Sequence, residues 1–145
     1  MARHSSLAGL ALILVAGCSS GVPEAADFVR TTSGSSFIGE TEITIFDGDF
    51  AQVFAAEPHG ARDESRTLAL PDGSYARARA LVEAGFPAVL AAQAAETDPP
   101  VCPTDMGADV ITVRPAVAGT ERIAAGCGDT GVRALMGAIG GLVPR

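Results

Sequence analysis

The chain has 145 residues, of which 17 are acidic and 10 basic, giving a formal net charge of −7, and it contains no lysine. Phosphate contacts need clustered positive charge, so this balance argues against a nucleic-acid partner and leaves no polybasic patch for an anionic lipid surface. The length suits one small domain with a short extension, not two domains.

The chain opens with MARHSS, which carries Arg3, and continues through the uncharged run LAGLALILVAG, Leu7 to Gly17. A basic head, an apolar core and a small-residue exit have the proportions of an export signal. The apolar core is about ten residues, short of the roughly 20 that span a bilayer as a helix. Every acidic residue lies beyond Cys18. Val15-Ala16-Gly17-Cys18 resembles the lipobox of bacterial lipoproteins. That resemblance implies diacylglycerol on the Cys18 thiol, cleavage before Cys18 and acylation of the new amino group, with palmitate as a typical chain. Two or more acyl chains, each contributing about 0.8 kcal/mol per buried CH₂, hold a domain at a membrane. An ordinary secretory signal would leave Cys18 unexplained. Within that resemblance, Ser19 in place of Asp after the cysteine favours the outer membrane over the inner. The expected organisation is a signal over 1–17, a flexible tether over 18–27 and one domain over 28–145, lipid-anchored in the bacterial envelope and facing the periplasm.

The two remaining cysteines, Cys102 and Cys127, would then sit in an oxidising compartment, where disulfides persist. They form neither a CxxC redox motif nor a four-ligand zinc set. A Cys102–Cys127 bridge closing that loop would stabilise the domain by about 3–4 kcal/mol on a chain-entropy estimate.

The run ETEITIFDGDFAQVFAA, Glu40 to Ala56, predicts the first hairpin, with Asp47-Gly48 at its turn. Residues 33–36 read as an irregular approach to it, PHGARDES as a loop, and SRTLAL as a further strand. Pro71-Asp72-Gly73-Ser74 punctuates the chain. The following YARARALVEAG places Tyr75, Ala78, Leu81 and Val82 on one helical stripe, with Ser74 or Asp72 as cap. Gly85-Phe86-Pro87 suggests a break before a second segment, AVLAAQAA. The proline-rich ETDPPVCPTD excludes a central strand. DVITVRP and TERIAAG predict a second hairpin. A last helix, capped by Asp129 or Thr130, carries Val132, Leu135, Met136 and Ile139. The order ββ(β)α(α)ββα predicts an α+β domain: a small antiparallel sheet from two hairpins, with helices packed on one face.

The stretches ITIFDGDFAQVF, YARARALVEAGFPAVL, the DPP and CP dipeptides near residue 100, and DVITVRP resemble a small uncharacterised domain family of bacterial secreted proteins and lipoproteins. The resemblance spans roughly residues 28–143. It implies the same hairpin, helix, hairpin, helix order and brings no catalytic residues with it.

Several side chains invite chemistry. His59 follows the signal in a polar loop with Asp63 and Ser65 nearby, the ingredients of a small periplasmic hydrolase, but no G-x-S-x-G elbow is present. Asp98, Asp105 and Asp109 offer hard oxygen ligands for calcium or another small ligand, without the spacing of an EF-hand loop. Asp47 and Asp49 flank a turn. Glu40, Glu42 and Glu83 are paired-carboxylate candidates for glycosidic chemistry. GCGDTG, residues 126–131, precedes a helix start near Arg122 and Arg133 but lacks a P-loop lysine. Surface and capping roles are the ordinary reading of each. The favoured expectation is a lipid-anchored, disulfide-stabilised domain with a binding or structural role toward an envelope protein, with no cofactor and no metal. A sheet edge is one candidate surface for that partner.

Overall fold

The computed structural model describes residues 26–98, 101–103, 105, 107–126 and 129–145. The elements in chain order are β1 (Phe28–Ser35), β2 (Gly39–Phe46), β3 (Phe50–Ala56), a 3₁₀ turn (Pro58–Gly60), β4 (Asp63–Ala69), α1 (Ser74–Ala95), β5 (Asp109–Val117), β6 (Thr120–Ala125) and α2 (Thr130–Gly140). The six strands form one antiparallel sheet in the order β4-β3-β2-β1-β5-β6. The α+β expectation, an antiparallel sheet with helices on one face, is therefore met, with a wider sheet than two hairpins supply.

The additional strand is β1, at the centre. FVRTT alternates as a strand should, and Val29 is fully buried between Ile45 of β2 and Val113 of β5. The serines and glycine that follow extend the strand instead of ending it. Gly34 shows why a residue without Cβ is needed there. Its φ is +99°, and a Cβ would lie 2.0 Å from the carbonyl oxygen of Gly39.

Strand alternation sends Val29, Ile45, Ala51, Ile111, Val113 and Ile123 to one face, where they meet Ala78, Val82 and Phe86 of α1 and Val132, Leu135 and Ile139 of α2. The opposite face carries a row of Phe28, Phe46 and Phe50, with the Phe46 and Phe50 rings stacked at 4.6 Å. The guanidinium groups of Arg30 and Arg114 lie over the Phe28 ring at 5.0 and 5.5 Å.

α1 is one helix, not two segments. Pro87 sits on its exposed side, where the lost backbone donor costs least, while Phe86 and Val89 are buried on the other. Gly85 is a contact point and not a stop signal: a Cβ there would be 2.9 Å from Leu135 Cδ2. The smallest residue lets α1 and α2 approach.

The cap of α1 comes from 24 residues away, and neither Ser74 nor Asp72 supplies it. The Asp49 carboxylate in the β2–β3 turn accepts the Gly73 N–H at 2.7 Å and the Tyr75 N–H at 2.8 Å. Those two bonds hold the Asp49 carboxyl below the usual carboxylate range. At the other end, Asp129 caps α2 by accepting the Val132 N–H at 3.0 Å, as its sequence position predicts.

The description of the domain as disulfide-stabilised needs correction. Cys127, and with it the Cys102–Cys127 pairing, lies outside the described residues, and among the described residues no two sulfur atoms lie at or near bonding distance. Among the described residues, side-chain contacts from both helices hold the second hairpin. Gln93 Nε2 of α1 donates to the Ala124 carbonyl at 3.0 Å and to Asp129 at 2.9 Å. Arg133 of α2 pairs with Asp109 at 2.8 Å. Arg79 of α1 donates to the carbonyls of Pro115 and Ala116. Residues 1–25, including Cys18, also lie outside the described residues; among the described residues no helix is long and apolar enough to cross a membrane.

Candidate functional site

The residues singled out for chemistry do not gather into one centre. His59 is exposed in the 3₁₀ turn, at φ +61°, and its ring meets the edge of Phe37 at 5.8 Å. Its backbone N–H donates to the Ser36 carbonyl, which fixes the turn against the β1–β2 connection. Asp63 and Ser65 stand on β4, and no hydrogen bond among the described residues joins either of them to His59. The arrangement therefore lacks the nucleophile–base contact of a hydrolytic triad.

The three aspartates also separate. Asp98 is exposed just beyond α1, and Asp105 uses its backbone carbonyl to accept from Ser35. Only Asp109 is half-buried. Burial pushes its carboxyl upward, but hydrogen bonds from Ser33 Oγ at 2.5 Å and Arg133 Nε at 2.8 Å outweigh this and hold it below the usual range. Among the described residues no three His, Cys, Asp or Glu side chains converge on a metal position. Glu42 pairs with Arg30 on the aromatic face of the sheet. Glu83 pairs with Arg79 on α1, across the sheet from it. The sheet thus separates Glu42 from Glu83, while Glu40 and Glu42 share one face of β2. In the GCGDTG stretch, Asp129 is occupied as the α2 cap and Arg133 by Asp109.

The sheet edges offer a more specific feature. Each edge strand alternates between residues whose main-chain groups point into the sheet and residues whose groups point out of it. On β4 the parity is fixed at both ends of its ladder with β3. Glu57 N–H donates to the Arg62 carbonyl at 2.8 Å, and Leu70 N–H donates to the Asp49 carbonyl at 2.8 Å. Even-numbered residues of β4 therefore face β3. Asp63, Ser65, Thr67 and Ala69 direct their N–H and C=O groups away from the sheet, and no hydrogen bond among the described residues uses those groups.

β6, the other edge, differs. Thr120 Oγ1 accepts the Arg122 N–H at 3.2 Å and donates to the Arg122 carbonyl at 3.0 Å, while Gln93 takes the Ala124 carbonyl. Its pairing with β5 is also irregular between Thr112 and Val117. On β6 the chain's own side chains take both main-chain groups of Arg122 and the Ala124 carbonyl; the β4 edge is unbulged and open.

The helices reinforce the asymmetry. Their main contacts are with β1, β2, β5 and β6, so β3 and β4 reach past them as a shelf. Val53, Ala55, Glu64 and Arg66 line its surface, and a hollow of about 550 Å³ separates Val53 and Arg66 from Gly137, Gly140 and Val143 at the end of α2. Nothing in the sequence of β4 alone marks it as an edge. Its DESR run puts Asp63 and Ser65 on one face of the sheet and Glu64 and Arg66 on the other.

No family model, no curated protein and no solved structure matches this chain.

Proposed function

We propose that the chain is a lipid-anchored binding module of the bacterial cell envelope that accepts an extended strand along β4. The observation that carries the reading is the open row of main-chain groups at Asp63, Ser65, Thr67 and Ala69 beside an opposite edge that is capped. Strand addition draws affinity from such main-chain groups and specificity from alternate side chains. Anchoring rests on the run from Leu7 to Gly17 and the Val15-Ala16-Gly17-Cys18 exit. Phe28 follows the proposed anchor by only ten residues, so β4 would be displayed close to the membrane surface.

Two measurements test this. Labelling with palmitate in cells should mark the protein, and Cys18→Ser should remove the mark; an unlabelled protein sinks the anchor. A photo-crosslinking side chain at Ser65 should give discrete adducts, and the same probe at Glu121 on β6 should give none. Thr67→Pro removes only an outward N–H and should abolish the Ser65 adducts while leaving the fold intact. Adducts that persist in Thr67→Pro, or that appear equally from β6, remove the strand-accepting reading.

A further inference from the structure

We infer that the strand β4 accepts is β4 of a second copy of this chain, joined antiparallel about a two-fold axis through Ser65. The inference rests on the open edge described above and names its occupant.

Three constraints select that register. The first is parity. A residue can form a hydrogen-bonded pair across a new seam only if its main-chain groups point outward, which restricts the pairing to Asp63, Ser65, Thr67 and Ala69. The two-fold axis must then pass through a β4 residue and not between two.

The second constraint is charge. With the axis at Glu64, that residue would oppose its own copy, and Arg62 would oppose Arg66. With the axis at Arg66, two guanidinium groups would meet. Like charges directly opposite one another destabilise a pair. With the axis at Ser65, Glu64 of each copy stands opposite Arg66 of the other, twice by symmetry. Those pairs occupy the non-hydrogen-bonded positions, where Cα atoms approach to about 4.5 Å and side chains are closest. Ser65 then exchanges main-chain bonds with Ser65, and Asp63 with Thr67. A dimer interface of this kind must be self-complementary, and the DESRT segment is so about its serine.

The third constraint is availability. Glu64 and Arg66 are both exposed, and neither belongs to an ion pair among the described residues. The helices make their main contacts with other strands, and a hollow separates Arg66 from the end of α2 on that face. The axis places the two copies of Phe28 on opposite sides of the seam, three strands from β4 in each copy. A ten-residue tether extends to about 35 Å, so both anchors can enter one bilayer when the sheet lies along it.

Sedimentation analysis of the full chain carrying Cys18→Ser tests this without lipid. The parent protein should show a reversible monomer–dimer equilibrium. Arg66→Glu and Glu64→Arg should each weaken the dimer roughly tenfold or more, because two attractive pairs become repulsive. The double variant Glu64→Arg/Arg66→Glu should restore the parent affinity, since the swap recreates both pairs. Circular dichroism and thermal melting check that all variants fold. Restoration by the double swap supports the Ser65-centred seam. A monomer up to millimolar concentration, or a dimer indifferent to these changes, overturns it. The two readings fail separately. If the protein is monomeric yet the Ser65 adducts disappear in Thr67→Pro, self-pairing falls and acceptance of a different strand stands. If the adducts also persist, both fall.

Discussion

The two edges of this sheet are built from strands of similar length and opposite fate. β6 closes a hairpin, lies beside the end of α1, and spends the outward groups of Arg122 and the Ala124 carbonyl on Thr120 and Gln93. β4 makes few contacts with either helix, pairs with β3 without interruption, and spends none of its outward groups. An edge is protected here by what neighbouring elements can reach, more than by the strand's own residues. Gln93 can cap β6 because α1 runs through Pro87 to Ala95; a helix broken at Gly85 would leave Ala124 uncovered. The asymmetry of the sheet therefore follows from one helix being longer than its sequence punctuation suggests.

The sharpest test of the comparison lies within β4 itself, at two adjacent residues. Arg66 N–H points into the ladder and Thr67 N–H points out of it. Arg66→Pro should destabilise the domain by about 2 kcal/mol, through the lost donor and the carbonyl left facing it. Thr67→Pro should cost under about 1 kcal/mol, because no ladder bond is lost. Urea unfolding of the two variants reads the difference. Equal costs would mean that the parity is wrong and that the outward row is not where it has been placed.

At the opposite edge, the support is shared among α1, β6 and the α2 cap. Asp129→Ala removes the acceptor of the Val132 N–H and one of the two acceptors of Gln93. The expected cost is about 1–2 kcal/mol, at the upper part of the range for a lost cap. The Ala124 carbonyl should lose its cover at the same time, since Gln93 is no longer held from both sides. Hydrogen exchange should then quicken through β6 and the first turn of α2 while β4 is unchanged. A loss of protection spread evenly over both edges would show that the Gln93–Asp129 contact is not local to β6.

Acid should reach these supports together. Asp49, Asp109 and Asp129 are each held below the ordinary carboxylate range. At Asp49 the hydrogen bonds from Tyr75 and Gly73 dominate. At Asp109 and Asp129 burial pushes the other way and is outweighed: by Ser33 and Arg133 at Asp109, and by Gln93 and the α2 N-terminus at Asp129. A carboxyl lowered in the folded state binds fewer protons there than in the unfolded chain. Its stabilisation is therefore fully present above the unfolded value, near 3.9, and is lost as pH falls through the folded value. Stability should hold steady at neutral pH and decline below about pH 4. Asp109→Asn should reduce the size of that decline. An unaltered acid limb in this variant would remove Asp109 from the account.

How much of this was legible in the sequence differs from element to element. Alternation within ITIF and DVITV, with Asp-Gly between ITIF and FAQVF, was enough to place two hairpins, because side-chain period and turn chemistry are local properties. β1 is not marked as a strand because its second half, SGS, has the composition of a loop; β2 holds that half extended, and β5 pairs with the first half from far along the chain. The α1 cap was missed for the same reason, since Asp49 is distant in sequence and looked like a turn residue. It is both. Gly85 and Pro87 read as a break because propensity speaks for an isolated helix, whereas Phe86 in the core and Leu135 against Gly85 hold this one straight. A sheet edge was named as a candidate surface, yet which edge could not be read, because the caps on β6 come from α1 and from a hairpin turn that only the fold brings together.

Thr120 offers the smallest change and the most direct one. Its hydroxyl serves both main-chain groups of Arg122, accepting at 3.2 Å and donating at 3.0 Å. Thr120→Val keeps the β-branched shape and removes only the hydroxyl. Water can reach this exposed edge, so the released groups are not stranded, and the cost should be about 0.5–1 kcal/mol. The informative result is what the edge then does. With Arg122 uncapped, β6 presents an outward donor and acceptor as β4 does, and a photo-crosslinking side chain at Glu121 should begin to give adducts that the parent lacks. If it stays silent, the local cap is not what closes β6, and the protection must come from Gln93 and the irregular pairing with β5 alone.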